Sequence, residues 1–315
     1  MGNPMSNPTS NPMFIPISAT AESRDVLDRL LGELRPKLHR YCARMTGSVI
    51  DGEDVIQEAM LKAIEAFPQA GPIANVEGWL FRIAHNAALD FLRRRVRRDA
   101  LRSHEDPEMT LDPADTERDR QLTATSLRTF MRLAVGQRSS VILMDVLGYS
   151  VQEIAAITEV RMPAVKSSLH RGRTRLRELA KEPEDVAQPA LSESEHLLLA
   201  AYVDRFNARD FEAVRDMLAD EVRLELVGLH RMNGRREVSR YFSNYSQVED
   251  RHFVSGLVEG LPAMIVRDSR EQPIYFVLLE WTDGRVVKIR DFAHARYAID
   301  GAELHFAGSE RSVVE

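Results

Sequence analysis

In "DGEDVIQEAMLKAIEAF" (51–67), Asp51, Asp54 and Glu58 recur at three- and four-residue spacing, which sets three carboxylates on one face of a helix. Val55, Ala59, Leu61 and Ile64 are expected on the inner face. Acids near a helix start also serve simply as partners of the helix dipole, so this face alone does not fix a role. A second segment, "WLFRIAHNAALDFLRRRVRR" (79–98), ends with five arginines in six positions. One cation would satisfy the dipole, a contribution of ~0.3–1 kcal/mol; five point to a polyanion. Trp79, Leu80, Ile83, Ala84, Ala87, Ala88, Phe91 and Leu92 form the expected buried stripe. Arg82, His85, Asn86, Asp90, Arg93 and Arg94 are left for solvent or a partner. Asparagine pairs bidentately with adenine, and arginine with guanine or phosphate. Trp79 and Phe81 are candidates to stack on extruded bases, with Trp79 better suited to the core.

A third segment, "SVQEIAAITEVRMPAVKSSLHRGRTRLREL" (150–179), reads as a short helix, a tight turn near 158–161, and a second helix begun by Met162-Pro163. Proline fits a helix's first turn because its missing N–H would have no partner there. This is helix-turn-helix spacing. Val165, Leu169 and Leu176 face a core, while Arg161, Lys166, Ser167, His170, Arg171, Arg173 and Arg175 are expected around the remaining surface. Groups at the N-terminal end of such a helix reach base edges, and later arginines neutralise phosphates.

Farther along, His252, Tyr275, Trp281, Asp291 and His294 are candidates to line a pocket. Asp291 or a histidine there would act as general base only if burial tuned it; an isolated Asp at a strand end is expected to be solvated. Cys42 stands alone, so neither an intrachain disulfide nor a cysteine-based zinc cluster is expected, and no cofactor is called for.

The elements that position these residues follow from composition and periodicity. A chain of 315 residues with 44% hydrophobic content supports two or three domains. Apolar runs fall short of the ~18 residues of a membrane span, and no basic, apolar leader opens the chain, so a cytoplasmic location is expected. The net charge of −6 is carried by residues 190–315, with 22 acids against 16 bases; charge in the remainder balances overall but is sorted locally. Residues 104–120 hold seven acids and two arginines, and residues 161–181 hold seven Lys/Arg against Glu178. Basic patches, rather than overall charge, mark where nucleic acid would bind.

The expected organisation is a tail with Asn-Pro repeats (1–20), a helical domain (21–100), an acidic linker (101–120), a helical helix-turn-helix domain (121–181), a linker (182–190) and an α+β domain (191–315). Helices are expected near 191–208, 211–218 and 236–246, and strands at 222–227, 273–281 and 285–292. Asp-Gly in "TDGR" (282–285) predicts a hairpin.

Residues 22–180 resemble a bacterial sigma factor of the extracytoplasmic-function type. The Asp51 to Glu58 stretch matches the family's Asp-x-Glu-Asp-x-x-Gln-Glu helix. Trp79, Leu80, Ile83, Ala84, Asn86, Asp90 and Arg94 match its second helix. The resemblance implies that Asp51, Asp54, Gln57 and Glu58 dock on the clamp helices of core RNA polymerase. It further implies that the arginine-rich helix recognises and melts the −10 element, that loop 68–78 holds a flipped base, and that the helix-turn-helix reads the −35 element. The C-terminal order of helices and strands resembles the cone-shaped SnoaL/NTF2-like domain, giving a fold of two all-α domains followed by an α+β cone. Implied partners are core polymerase, promoter DNA and an anti-sigma factor, with no membrane partner. An intramolecular contact is also expected, in which the acidic domain covers 161–181 or clasps the two helical domains. The alternative from another class is a helix-turn-helix activator with a ligand-sensing C-terminal domain; a third is a fused enzyme.

Overall fold

The computed structural model describes residues 21–102, 127–182, 191–245, 251–306 and 312–313. The expected tail, all but the first two residues of the acidic linker, and most of the second linker lie outside the described residues.

Helix α1 (Ala21–Thr46) places Leu27, Leu30, Leu38, Tyr41 and Met45 in the core at helical spacing. Gly47, at φ +80°, ends it. Ser48 then accepts from the Asp51 amide at 3.0 Å and starts α2 (Val49–Ala66). The α1–α2 crossing is tight: a Cβ on Gly52 would lie 2.6 Å from the Ala43 nitrogen. Asn75 accepts from the Gly78 amide at 2.8 Å at the start of α3 (Val76–Arg102). Next come α4 (Leu127–Met131), α5 (Val135–Val141), a π-helical turn (Ile142–Val146), α6 (Val151–Thr158) and α7 (Met162–Leu179). A reciprocal Ser150–Glu153 capping box opens α6. Glu159, left-handed at φ 57°, turns the chain into α7. The two helical units share one hydrophobic core, in which Phe81 and Ala84 of α3 join Tyr149, Ile154 and Ile157.

The C-terminal part begins with α8 (Glu193–Asn207), again opened by a capping box, and α9 (Phe211–Asp216). One eight-stranded sheet follows, comprising β1 (Leu218–Leu226), β2 (His230–Asn233), β3 (His252–Val258), β4 (Leu261–Arg267), β5 (Pro273–Thr282), β6 (Arg285–Asp291), β7 (Glu303–Phe306) and β8 (Ser312–Val313). Its order is β2-β1-β6-β5-β4-β3-β7-β8, and β1 and β6 pair in parallel. Asp283 and Gly284, both at positive φ, form the β5–β6 hairpin that the sequence signals. Helix α10 (Arg235–Tyr245) joins α8 and α9 over one face of the sheet, where Phe206, Phe242, Val266 and Val277 pack.

Alternate residues of β4 and β5 supply a second core on the opposite face. There Ile265, Phe276, Phe292 and Leu304 meet Ala43, Val49, Ile50 and Leu127 of the helical units. Both sides of β5 are therefore buried, which explains its continuous apolar run. Among the described residues, the C-terminal domain lies against α1, α2 and α4 rather than folding over 161–181.

Candidate nucleic-acid and protein interfaces

The acids of α2 do not share one environment. Asp54 remains 47% exposed along its side chain yet pairs with Arg290 of β6 at 2.5 Å. Asp51 faces Arg95 at 3.4 Å. Glu58 accepts from Arg94 at 2.6 Å and pairs with Lys62 at 2.8 Å. Burial raises the carboxyl pKa of Asp51 and Asp54 against the pull of Arg95 and Arg290, while the Arg94 hydrogen bond lowers that of Glu58. Gln57 is half-buried. Leu61, expected inside, is 62% exposed; α2 turns it toward a groove shared with β1 and β6.

Sequence reasoning missed two acids here. Glu53 is fully buried, paired with Arg35 and accepting from the Tyr297 hydroxyl at 2.9 Å. Glu259, in the β3–β4 turn, accepts from Ser48 Oγ at 2.6 Å and from the Val49 amide at 2.7 Å. Burial pushes its carboxyl pKa up to about 7. The Glu53–Tyr297 and Glu259–Ser48 partnerships each link residues more than 200 positions apart in the chain, beyond the reach of any local pattern.

On α3, Asn86, Arg93 and Arg94 are exposed, and Arg82 and Asp90 are half-buried. Asp90 accepts from Arg93 at 2.9 Å, and Arg82 lies 3.5 Å from Glu159. His85 is a correction: it is 6% exposed and bonds to the Tyr41 hydroxyl through Nδ1 at 2.7 Å. Burial lowers its pKa to about 4, so the ring is a neutral core group rather than a surface contact. Phe81 is also corrected: it is fully buried against Tyr41 and Tyr149, leaving no face for a base. Trp79 is half-buried beside Phe67.

Loop 70–75, Trp79 and Arg82 line a cavity of ≈410 Å³ whose other wall is Tyr149, Glu153 and Ala156. Lys37 holds that junction: its Nζ lies 2.5 Å from Glu77 and 4.4 Å from the Tyr149 ring centroid. Tyr149 also donates to Glu77.

The helix-turn-helix presents Arg161, Lys166, Ser167 and His170 to solvent, with Arg171 and Arg175 half-buried. Arg173 is drawn aside by Asp145, which accepts from its Nε at 2.8 Å and from its Nη2. Arg175 pairs with Glu178 at 3.0 Å.

In the C-terminal domain Asp291 is 1% exposed, correcting the expectation of a solvated acid. The end of β6 runs beneath α10, so Tyr241 and Tyr245 donate to its carboxylate at 2.6 and 2.7 Å. The Ala293 amide donates to it at 2.7 Å. Burial raises its pKa against these three donors. Tyr275 joins through Tyr245 at 3.3 Å. His252 and His294 are exposed, with His294 near enough to Asp291 for its charge to act on the carboxyl. Trp281 is half-buried, with Nε1 enclosed and lacking a hydrogen-bond partner among the described residues. The described residues contain no group of three or more His, Cys, Asp or Glu able to hold a metal ion. None of the described helices is long and apolar enough to cross a membrane.

Comparison with known proteins finds the Sigma-70 region 2 family over residues 30–98 and the Sigma-70 region 4 family over residues 127–176. The chain is 34% identical over 168 residues to the ECF RNA polymerase sigma factor SigE of Mycolicibacterium smegmatis, covering 52% of this chain and 65% of that protein. It is 32% identical over 162 residues to the RNA polymerase sigma factor CarQ of Myxococcus xanthus, covering 51% of this chain and 93% of CarQ. Among solved structures, the extracytoplasmic function sigma factor SigJ of Mycobacterium tuberculosis aligns over 84% of this chain and 95% of its own, at 17% identity and a TM-score of 0.31.

Proposed function

The chain belongs to the extracytoplasmic-function family of RNA polymerase sigma factors, and on that premise we propose how its parts divide the work. Residues 21–100 form the domain that binds core polymerase and the −10 element, and residues 121–181 the domain that reads the −35 element. Asp51, Asp54, Gln57 and Glu58 engage core polymerase. Asn86, Arg93 and Arg94, with Arg82 and Asp90 beside them, engage the −10 DNA. Arg161, Lys166, Ser167 and His170 head the −35 surface, supported by Arg171 and Arg175. The observation that carries this reading is the occurrence, in one chain and in order, of an acidic helix face, an arginine-rich helix end and a helix-turn-helix, where the two sigma-70 regions match.

Promoter opening by this division requires the helical units to part. Elements about 25 base pairs apart lie roughly 85 Å apart at ~3.4 Å per step, whereas Arg82 of α3 and Glu159 beyond α6 are 3.5 Å apart here. The described form is thus a closed one. Residues 191–315 are read as a regulatory domain without catalysis: the Asp291 carboxylate is already committed to two phenols and an amide. Core polymerase and promoter DNA are the partners, an anti-sigma protein is a further candidate, and the site of action is the cytoplasm.

Promoter-directed transcription with sigma-free core polymerase tests this reading. Initiation that depends on the added chain is expected. Specific DNA binding without any initiation would favour the activator instead, and turnover of a small molecule by the C-terminal domain would favour the enzyme.

A further inference from the structure

The helix face assigned above to core polymerase meets the C-terminal domain at Asp54 and lies across an open groove from it at Gln57 and Glu58. Arg290 approaches Asp54 and is itself braced by Glu225 of β1 at 2.9 Å, with Arg231 pairing to the same Glu225 at 2.8 Å. Around this pair, Gln57, Glu58 and Leu61 face Arg223, Arg231 and Lys288 across a groove of ≈510 Å³. At the start of α2, the Glu259 carboxyl caps the helix, accepting from Ser48 and Val49. On the inner side, Tyr297 accepts from Arg35 at 2.5 Å and donates to Glu53. Beneath these polar contacts Val49 and Ile50 enter the second core of the sheet.

We propose that this face of the C-terminal domain is a docking surface for the polymerase-binding face of α2, and that docking there and binding core polymerase exclude each other. The inference rests on the sigma-factor reading and gives the C-terminal domain an inhibitory sign. Charge supports it: residues 190–315 carry a net −6, yet the patch opposite Asp54, Gln57 and Glu58 gathers four cations, Arg223, Arg231, Lys288 and Arg290, against the one acid Glu225. An acidic helix face requires a cationic partner, and this domain supplies one against its own overall charge. Geometry supports it as well, because a carboxylate braced by Arg290 and a helix start capped by Glu259 cannot present the same atoms to a second protein. Core polymerase then binds the undocked fraction alone, and its apparent affinity is reduced by that fraction.

The test compares the affinity of sigma-free core polymerase for the full chain and for three full-length variants, Arg290→Ala, Glu259→Asn and Tyr297→Phe. All three changes lie outside the residues assigned to polymerase. Asparagine tolerates the positive φ of position 259 but is too short to reach Ser48, and Tyr297→Phe removes a hydroxyl without changing charge, so the test survives if Arg290→Ala fails to fold. Each folded variant is expected to bind core polymerase about 5- to 30-fold more tightly, as the undocked fraction rises. Unchanged or weaker binding by the folded variants, with initiation by the parent chain intact, overturns the docking inference alone. Failure of the parent chain and every variant to bind core polymerase or initiate overturns the sigma reading, and this inference with it.

Discussion

Raising the pH should release the C-terminal domain from α2, and Glu259 sets the size of the effect. Docked, its carboxyl titrates at about 7; undocked, on an exposed hairpin turn, it returns to its ordinary 4.5. The docked form holds the proton more tightly, so this contribution is fully present below pH 4.5 and is lost as pH rises through about 7. Between pH 5 and pH 8 the docking constant should fall about 70-fold from this group, or ~2.5 kcal/mol. Its surroundings are the Ser48 hydroxyl and the amides of Val49 and Ile50, which favour the anion, and Asp51, which opposes it; Arg95, Arg128 and Glu303 line the same cleft. Asp51 and Asp54, also raised by burial, act with the same sign at lower pH. His39, its ring 5.0 Å from Tyr297, is lowered by burial and acts in the opposite sense. The Glu259 share is therefore the difference between the parent and Glu259→Asn. Energy transfer between dyes on cysteines introduced at exposed Val96 and Asp220 would follow docking, since Cys42 is buried and inert to labelling. An identical pH response in the parent and in Glu259→Asn, or docking that strengthens toward pH 8, would refute the reasoning.

Three further outcomes are expected. Gly52→Ala should destabilise the α1–α2 crossing by about 3 kcal/mol, because the new Cβ meets Ala43 backbone that cannot rotate away; thermal denaturation measures it. Asp291→Ala should cost the C-terminal domain ~3–5 kcal/mol by leaving two buried phenols and an amide without their acceptor, at about 1–3 kcal/mol for each unsatisfied group, and a denaturant titration within about 1 kcal/mol of the parent would contradict it. Lys166→Ala should lower the salt slope of binding to −35 duplex by about 0.9, the share of one phosphate contact, with little change in stability because Lys166 is exposed.

Much of the fold was legible because its signals are local. Pro163 in the first turn of α7 and Asp283-Gly284 between β5 and β6 are short-range patterns, and each marks an element boundary in the structure. Leu61 was misread because helical spacing put it on the inner face, whereas α2 turns it out to the rim of the groove shared with β1 and β6, where it is 62% exposed. His85 and Asp291 were misread because their burial depends on partners 44 and 50 positions away, Tyr41 and Tyr241. Helical spacing placed His85 beside the exposed Asn86, but the tyrosine behind it decides its state. Glu259 had no signal at all: an acid in a tight turn looks like any solvated acid until α2 is brought against it.

The shared core of the two helical units bears on timing. Phe81 and Tyr149 lie with ring centroids 5.1 Å apart, and the buried guanidinium of Arg138 donates to the Met45 carbonyl at the end of α1. Parting α3 from α6 strips apolar surface and leaves that guanidinium and carbonyl to find water together, so intermediate degrees of opening carry the loss without the reward. Opening is then an activated event that precedes any encounter with DNA at both elements. The observed rate of promoter-complex formation should level off as polymerase concentration rises, at the frequency with which the helical units separate by themselves.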